Sequence, residues 1–115
     1  MVKDIETVMK YSNEYINDVA KKIPIDKVYL YGSYANGTQK EGSDVDICFF
    51  SSYFENKRKW DIVAELFYLK IKYDGYILIE PNAFPLSEIN NSNPFVENVL
   101  RNGKEIFPKI HREQN

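Results

Sequence analysis

Two short clusters carry residue types that could do chemistry: Asp44-Val45-Asp46 and Gly32-Ser33. In an extended strand, residues i and i+2 point to the same face. Asp44 and Asp46 at a strand start would hold two carboxylates side by side, where like charges repel, more strongly when buried. A divalent cation removes that repulsion. Mg²⁺ is bound through one or two carboxylates, with waters and substrate phosphates completing its shell. Gly32 lets the backbone approach a ligand closely. A helix N-terminus just after it would offer N–H groups to phosphate, and Ser33 adds a hydroxyl. Each cluster alone is weak, since Asp-x-Asp and Gly-Ser are common turn and cap sequences. Together, with residues 34–43 between them, they describe phosphate donors at one strand end and metal carboxylates at the next. By average composition the four fixed residues fall at this spacing in on the order of 10⁻³ of such chains.

The elements that must position these clusters follow from periodicity. Residues 3–22 place Ile5, Val8, Met9, Ser12, Ile16 and Val19 on one face, continuing to Ile23. That predicts an amphipathic helix, ended by Pro24. Residues 26–32 predict a strand on the β-branched and aromatic character of Val28-Tyr29-Leu30-Tyr31. Ser33 is the expected N-cap of a short helical turn. Gly37 and Gly42 bracket a polar loop. Residues 44–50 predict a second strand, polar at its start and apolar on both faces at its end. Residues 55–73 predict a helix, and Tyr76–Glu80 a third strand stopped by Pro81. Pro94 marks a helix start and Asn102-Gly103 its end. Ile106 and Phe107 add a short edge strand. Helix–strand–turn–strand–helix–strand–helix predicts an α/β fold: a small mixed β-sheet packed with helices, in a single domain spanning 1–115.

The stretch Leu30–Ile47 resembles the nucleotidyltransferase superfamily that includes DNA polymerase β. It is most similar to the minimal nucleotidyltransferase (MNT) branch, whose signature is Gly-Ser, ten residues, then Asp-x-Asp. Gly-Ser-Tyr-Ala-x-Gly and Gly-Ser-Asp-Val-Asp-Ile match that wording. The strong motif covers 30–50. Element order and the later Ile79-Glu80-Pro81 and Asn93-Pro94-Phe95 pieces extend a weaker resemblance over nearly the whole chain. The resemblance implies a polymerase β-like fold and metal-dependent transfer of a nucleoside monophosphate. It implies one or two Mg²⁺ ions on Asp44 and Asp46, with ATP the expected substrate, and nucleotide contacts from Gly32, Ser33, Lys40 and Ser43. The family has a third carboxylate on a neighbouring strand. Glu80 is the candidate and Asp74 the runner-up, set back by Gly75 and a turn-like context. Relatives often carry Arg where this chain has Asn36. Asn cannot supply a cation to the triphosphate, and Lys40 is the possible substitute.

Size and charge sharpen the functional reading. The chain has 115 residues and 13.5 kDa. Area scaling allows roughly two-thirds of its unfolded surface to be buried, enough for one core but not for a separate acceptor-binding domain. Fifteen Lys and Arg against seventeen Asp and Glu give −2, which argues against extended nucleic-acid binding. Cys48 is the single cysteine, so no internal disulfide forms and a reducing, cytoplasmic location is expected. The N-terminus lacks a signal-peptide core, and no apolar run has the length of a membrane span. Minimal relatives are often paired with a helical HEPN toxin protein, which they oppose as antitoxins. The resemblance therefore implies a partner-protein acceptor, with AMP moved to a tyrosine hydroxyl. The competing readings are a module that masks its partner without turnover, and an aminoglycoside-type enzyme completed by a second copy as a homo-oligomer. Cys48, Trp60, Tyr68 and Tyr73 are expected in packing, Lys57-Arg58-Lys59 on a solvated helix face. His111 stands alone in the polar tail from Lys109 to Asn115.

Overall fold

The computed structural model describes residues 4–40 and 42–107; His111, the polar tail and the first three residues lie outside them. Helix α1 (Ile5–Lys22) is started by Asp4, whose carboxylate accepts the Thr7 N–H at 2.8 Å, a side-chain N-cap. Then come β1 (Lys27–Tyr31), the one-turn α2 (Ser33–Asn36), β2 (Val45–Ser51), α3 (Lys59–Lys70), β3 (Ile79–Pro85), α4 (Pro94–Asn102) and β4 (Lys104–Phe107). The sheet runs in the order β3-β2-β1-β4. β1 is antiparallel to β2 and to β4, whereas β2 and β3 are parallel, joined through α3. The sheet is thus mixed, as expected. Among the described residues, no helix is long and apolar enough to cross a membrane.

Alternation along the strands builds two cores. Val28, Leu30, Val45, Ile47, Phe49, Ile79 and Ala83 pack under α1 and α3. The alternate residues Cys48 and Phe50 pack with Val96 and Val99 of α4, flanked by Tyr29, Tyr31 and Phe84. Tyr15 ties α1 to α3 by donating its hydroxyl to the Leu66 carbonyl at 2.9 Å. The Asn93 side chain accepts the Phe95 and Val96 amides and so starts α4. Gly103 ends it because of space: a Cβ there would lie 2.5 Å from the Val99 carbonyl oxygen and 2.9 Å from that of Leu30.

Four local expectations need correction. The helix expected over 55–73 is shorter. Phe54 and Tyr73 both dive into the core, and each takes a 3₁₀ turn to do so, Ser52–Phe54 and Ile71–Tyr73, which leaves α3 only Lys59–Lys70. β3 starts later than expected and continues through Pro81 to Pro85. Proline is tolerated because β3 is an edge strand, where an N–H can be missing on the side away from β2. Ser33 does not cap α2. Gly32 does, through its carbonyl, which accepts the Ala35 and Asn36 amides at 3.1 and 3.2 Å. Trp60 and Tyr68 are not packed in the core; they stand 82% and 73% exposed, whereas Tyr73 is buried.

Candidate active site

The two clusters meet at one end of the sheet. β1 delivers Gly32 at φ 77° and ψ −155°, a conformation that disfavours any residue with a Cβ. α2 follows, pinned by buried Tyr34 and ended by Gly37. Helix geometry leaves the first amides of α2, those of Ser33 and Tyr34, without intrahelical acceptors. The Gly32 turn packs directly on the second cluster. A Cβ at Gly32 would overlap Oδ2 of Asp46 and come 3.1 Å from its Cγ. Glycine is required twice here, for the backbone angle and for the carboxylate.

Sheet register supplies the rest. Asp46 pairs with Tyr31 on β1 and with Glu80 on β3. Directly paired residues share a face, so Tyr31, Asp46 and Glu80 form one row, on the α4 side of the sheet. Asp44 lies just before β2 and is exposed. Asp46 is partly buried. Its carboxyl is raised to about 6, first by burial, then by the negative charges of Asp44 and Glu80. The structure therefore brings Asp44, Asp46 and Glu80 within electrostatic reach of one another. It does not bring Asp74 there, since that carboxylate is ion-paired with Lys70 at 2.8 Å in the turn after α3. The loop from 38 to 44 is held by a reciprocal turn: the Lys40 amide donates to the Ser43 hydroxyl at 2.7 Å, and the Ser43 amide to the Lys40 carbonyl at 2.9 Å. The Ser43 hydroxyl still has its proton to donate. Lys40 and Asn36 are exposed.

Among the described residues, no group of three Cys, His, Asp or Glu side chains is placed to hold a metal ion by itself. The carboxylates are a one-sided array. That array fits a hard cation which takes one or two protein carboxylates and fills its shell with water and phosphate oxygens. The Asp46 carboxyl is raised first by burial and then by the charges of Asp44 and Glu80, and such a cation would relieve both.

The row also holds residues that sequence reasoning passed over. Tyr31 flanks Asp46. Its phenol is pushed above its usual range, mainly by burial, with Cys48 and Asp46 adding to the shift and the Asn82 amide opposing it. Asn82 is two residues beyond Glu80 on the same face. The signal was the register: Tyr31 is the residue before Gly32, and the hairpin places it opposite Asp46. Cys48 is fully buried below Asp46, its thiol pushed up to about 12 chiefly by burial, as expected of a packing residue. Lys59 is exposed with its neighbours Lys57 and Arg58, but it also reaches back to β3. Its amine donates to the Ala83 carbonyl at 2.8 Å and lies 3.9 Å from the centre of the Phe84 ring.

Comparison with known proteins agrees with this fold. Residues 13–112 match the family model described as "Polymerase beta, Nucleotidyltransferase". No curated protein sequence matches the chain significantly. Among solved structures, one from Sulfolobus solfataricus, described as a candidate nucleotidyltransferase, superposes with a TM-score of 0.55 at 21% identity, covering 78% of this chain and 83% of the other. At that identity the likeness is one of fold.

Proposed function

This chain belongs to the polymerase β family of nucleotidyltransferases, and from that premise we propose that it moves AMP from ATP, with Mg²⁺, to a hydroxyl on a partner protein. The observation that carries the reading is the contact of Gly32 with Asp46 in register with Glu80. It sets Gly32 and the start of α2 against Asp46, with Asp44 and Glu80 in electrostatic reach of that carboxylate. Asp44, Asp46 and Glu80 are the residues that would hold the metal. A bound divalent ion supplies charge neutralisation for the triphosphate and lowers the pKa of the attacking hydroxyl. The chain's own work is positioning. The Ser33 and Tyr34 amides and the Ser33 hydroxyl hold phosphate oxygens. Gly32 keeps the backbone close enough for them to reach. The acceptor oxygen attacks the α-phosphorus in line, the bond to the β-phosphate oxygen breaks, and pyrophosphate leaves with that electron pair. Near neutral pH Asp46 is largely ionised, so it can serve as a ligand without first losing a proton.

The acceptor is proposed to be a tyrosine on a helical toxin of the HEPN type, so that modification makes this chain an antitoxin. Family resemblance supports that choice. Exposed Asn36, which offers no cation to the triphosphate, favours a second reading in which the chain masks its partner without turnover. Incubation with α-labelled ATP, Mg²⁺ and the purified partner separates them. Label should pass to the partner and disappear with Asp44→Asn and Asp46→Asn together. Absence of transfer by the wild type, or undiminished transfer by the variant, would sink the enzyme reading. Inhibition that survives both substitutions would favour masking.

A further inference from the structure

α3 is apolar on two opposite sides. Ile62 and Leu66 point into the core, with Leu69 partly buried beside them. At 100° per residue, Trp60, Ala64, Phe67 and Ile71 fall within about 60° of arc on the other side, with Tyr68 at its margin. That outer stripe is solvent-exposed: Trp60 82%, Tyr68 73%, Ile71 59% and Phe67 37%. A surface helix normally turns a polar face outward, and one apolar all round is normally covered. Large exposed apolar patches with polar rims mark interaction sites.

Charge says what covers it. Lys57 and Arg58 precede the stripe, with Arg58 paired to Asp61. At the far end a groove of about 510 Å³ is lined by Lys21, Lys22, Lys72, Tyr68, Ile71 and Asp18; Asp18 is taken by the Tyr73 hydroxyl and by Lys72. Both ends of the stripe are therefore basic, although the chain as a whole carries −2. A second copy laid on this face would bring basic end to basic end whether the two helices ran parallel or antiparallel, and like-charge juxtaposition disfavours that pairing. We propose that the outer face of α3 is a docking surface for a different protein, one that presents an apolar surface flanked by acidic residues. The surface is distinct from the transfer chemistry. α3 covers the opposite face of the sheet from Asp46 and Glu80, so docking does not depend on the carboxylates.

The test places a photo-reactive benzoylphenylalanine at Tyr68 of the full chain in its native cell, with Arg101 of α4 as a control position. The expected result is one discrete protein adduct from position 68 and none from 101, with the cross-linked peptide apolar and net acidic. The purified pair should then bind at least 30-fold more weakly with Trp60→Glu and Tyr68→Glu together, and about 10-fold more weakly with Lys21→Glu and Lys22→Glu. Binding should be unchanged with Asp44→Asn and Asp46→Asn. Circular dichroism checks that each variant is folded. No adduct at 68, an adduct with a second copy, an adduct with nucleic acid, or a contacting segment without net acidity would each overturn the proposal. So would full binding by the folded Trp60→Glu, Tyr68→Glu variant.

Discussion

The two faces of the sheet are made from the same strands and do opposite work. On the α1/α3 face, Val45, Ile47 and Phe49 of β2 lie beside Val28 and Leu30 of β1 and Ile79 and Ala83 of β3, all buried and apolar. On the α4 face the intervening residues change character along each strand. β2 passes from Asp46 through Cys48 to Phe50, and β3 from Glu80 through Asn82 to Phe84. One face supplies burial from end to end. The other supplies burial at one end and charge at the other. The contrast teaches that this fold separates stability from chemistry by the two-residue period of a strand. A substitution should thus damage mainly one of the two.

The largest expected effect tests the chemical face. Asp46→Asn should lower nucleotidyl transfer by about a thousandfold, about 4 kcal/mol of transition-state stabilisation, while the melting temperature holds or rises. A parallel fall in thermal stability would break the separation. The mirror experiment is Phe49→Ala, which opens a cavity on the apolar face. It should destabilise the chain by about 3–4 kcal/mol in denaturant titration, yet the protein that remains folded should retain transfer. Gly32→Ala comes next and probes the join between the clusters. The added methyl must displace the Asp46 carboxylate, so transfer should fall by about a hundredfold. Loss of activity with Asp46 unmoved in a crystal structure of the variant would contradict that account.

The smallest effect sharpens the comparison through pH. Asp46 has its folded-state carboxyl raised from 3.8 to about 6. A group that holds its proton more tightly when folded favours the fold at low pH and costs stability as it ionises. The wild type should therefore lose stability relative to Asp46→Asn between about pH 4 and pH 6.5. The loss should be on the order of 1 kcal/mol once solvent screening of this half-exposed group is allowed for. Millimolar Mg²⁺ should recover part of it. A flat difference between the two proteins from pH 4 to 8 would show that the carboxylates do not interact as the register implies.

Much of this arrangement was legible in the amino-acid sequence, for identifiable reasons. α1 has one apolar stripe and a clean stop, so its 3.6-residue period reads unambiguously. Asp44 and Asp46 announce themselves by spacing, and Gly32-Ser33 by its place after a strand. Glu80 became a candidate through family resemblance, and its register with Asp46 is a long-range fact that no local pattern encodes. α3 misled for a physical reason. Its inner and outer apolar residues look alike in sequence, and only packing against Tyr15 and the sheet decides that Leu66 is core while Trp60 is surface. β3 was cut short at Pro81 because proline usually ends a strand. Whether it does depends on which side of the strand lacks a neighbour, and the neighbour comes from β2, more than thirty residues away.

That prolines lie within β3 has a consequence for the chain's life in a crowded cell. An edge strand normally presents a ladder of open backbone groups on which another chain can grow. Here the outward positions are Ile79, Pro81, Ala83 and Pro85. The two prolines have no N–H, the Ala83 N–H is taken by the Asn82 side chain at 2.9 Å, and the Ala83 carbonyl accepts from Lys59. From Pro81 onward the strand that carries Glu80 thus offers no free N–H for sheet extension or for the cross-strand polymerisation that seeds fibrils. Glu80 can sit on the rim of the sheet without that rim becoming a template for aggregation.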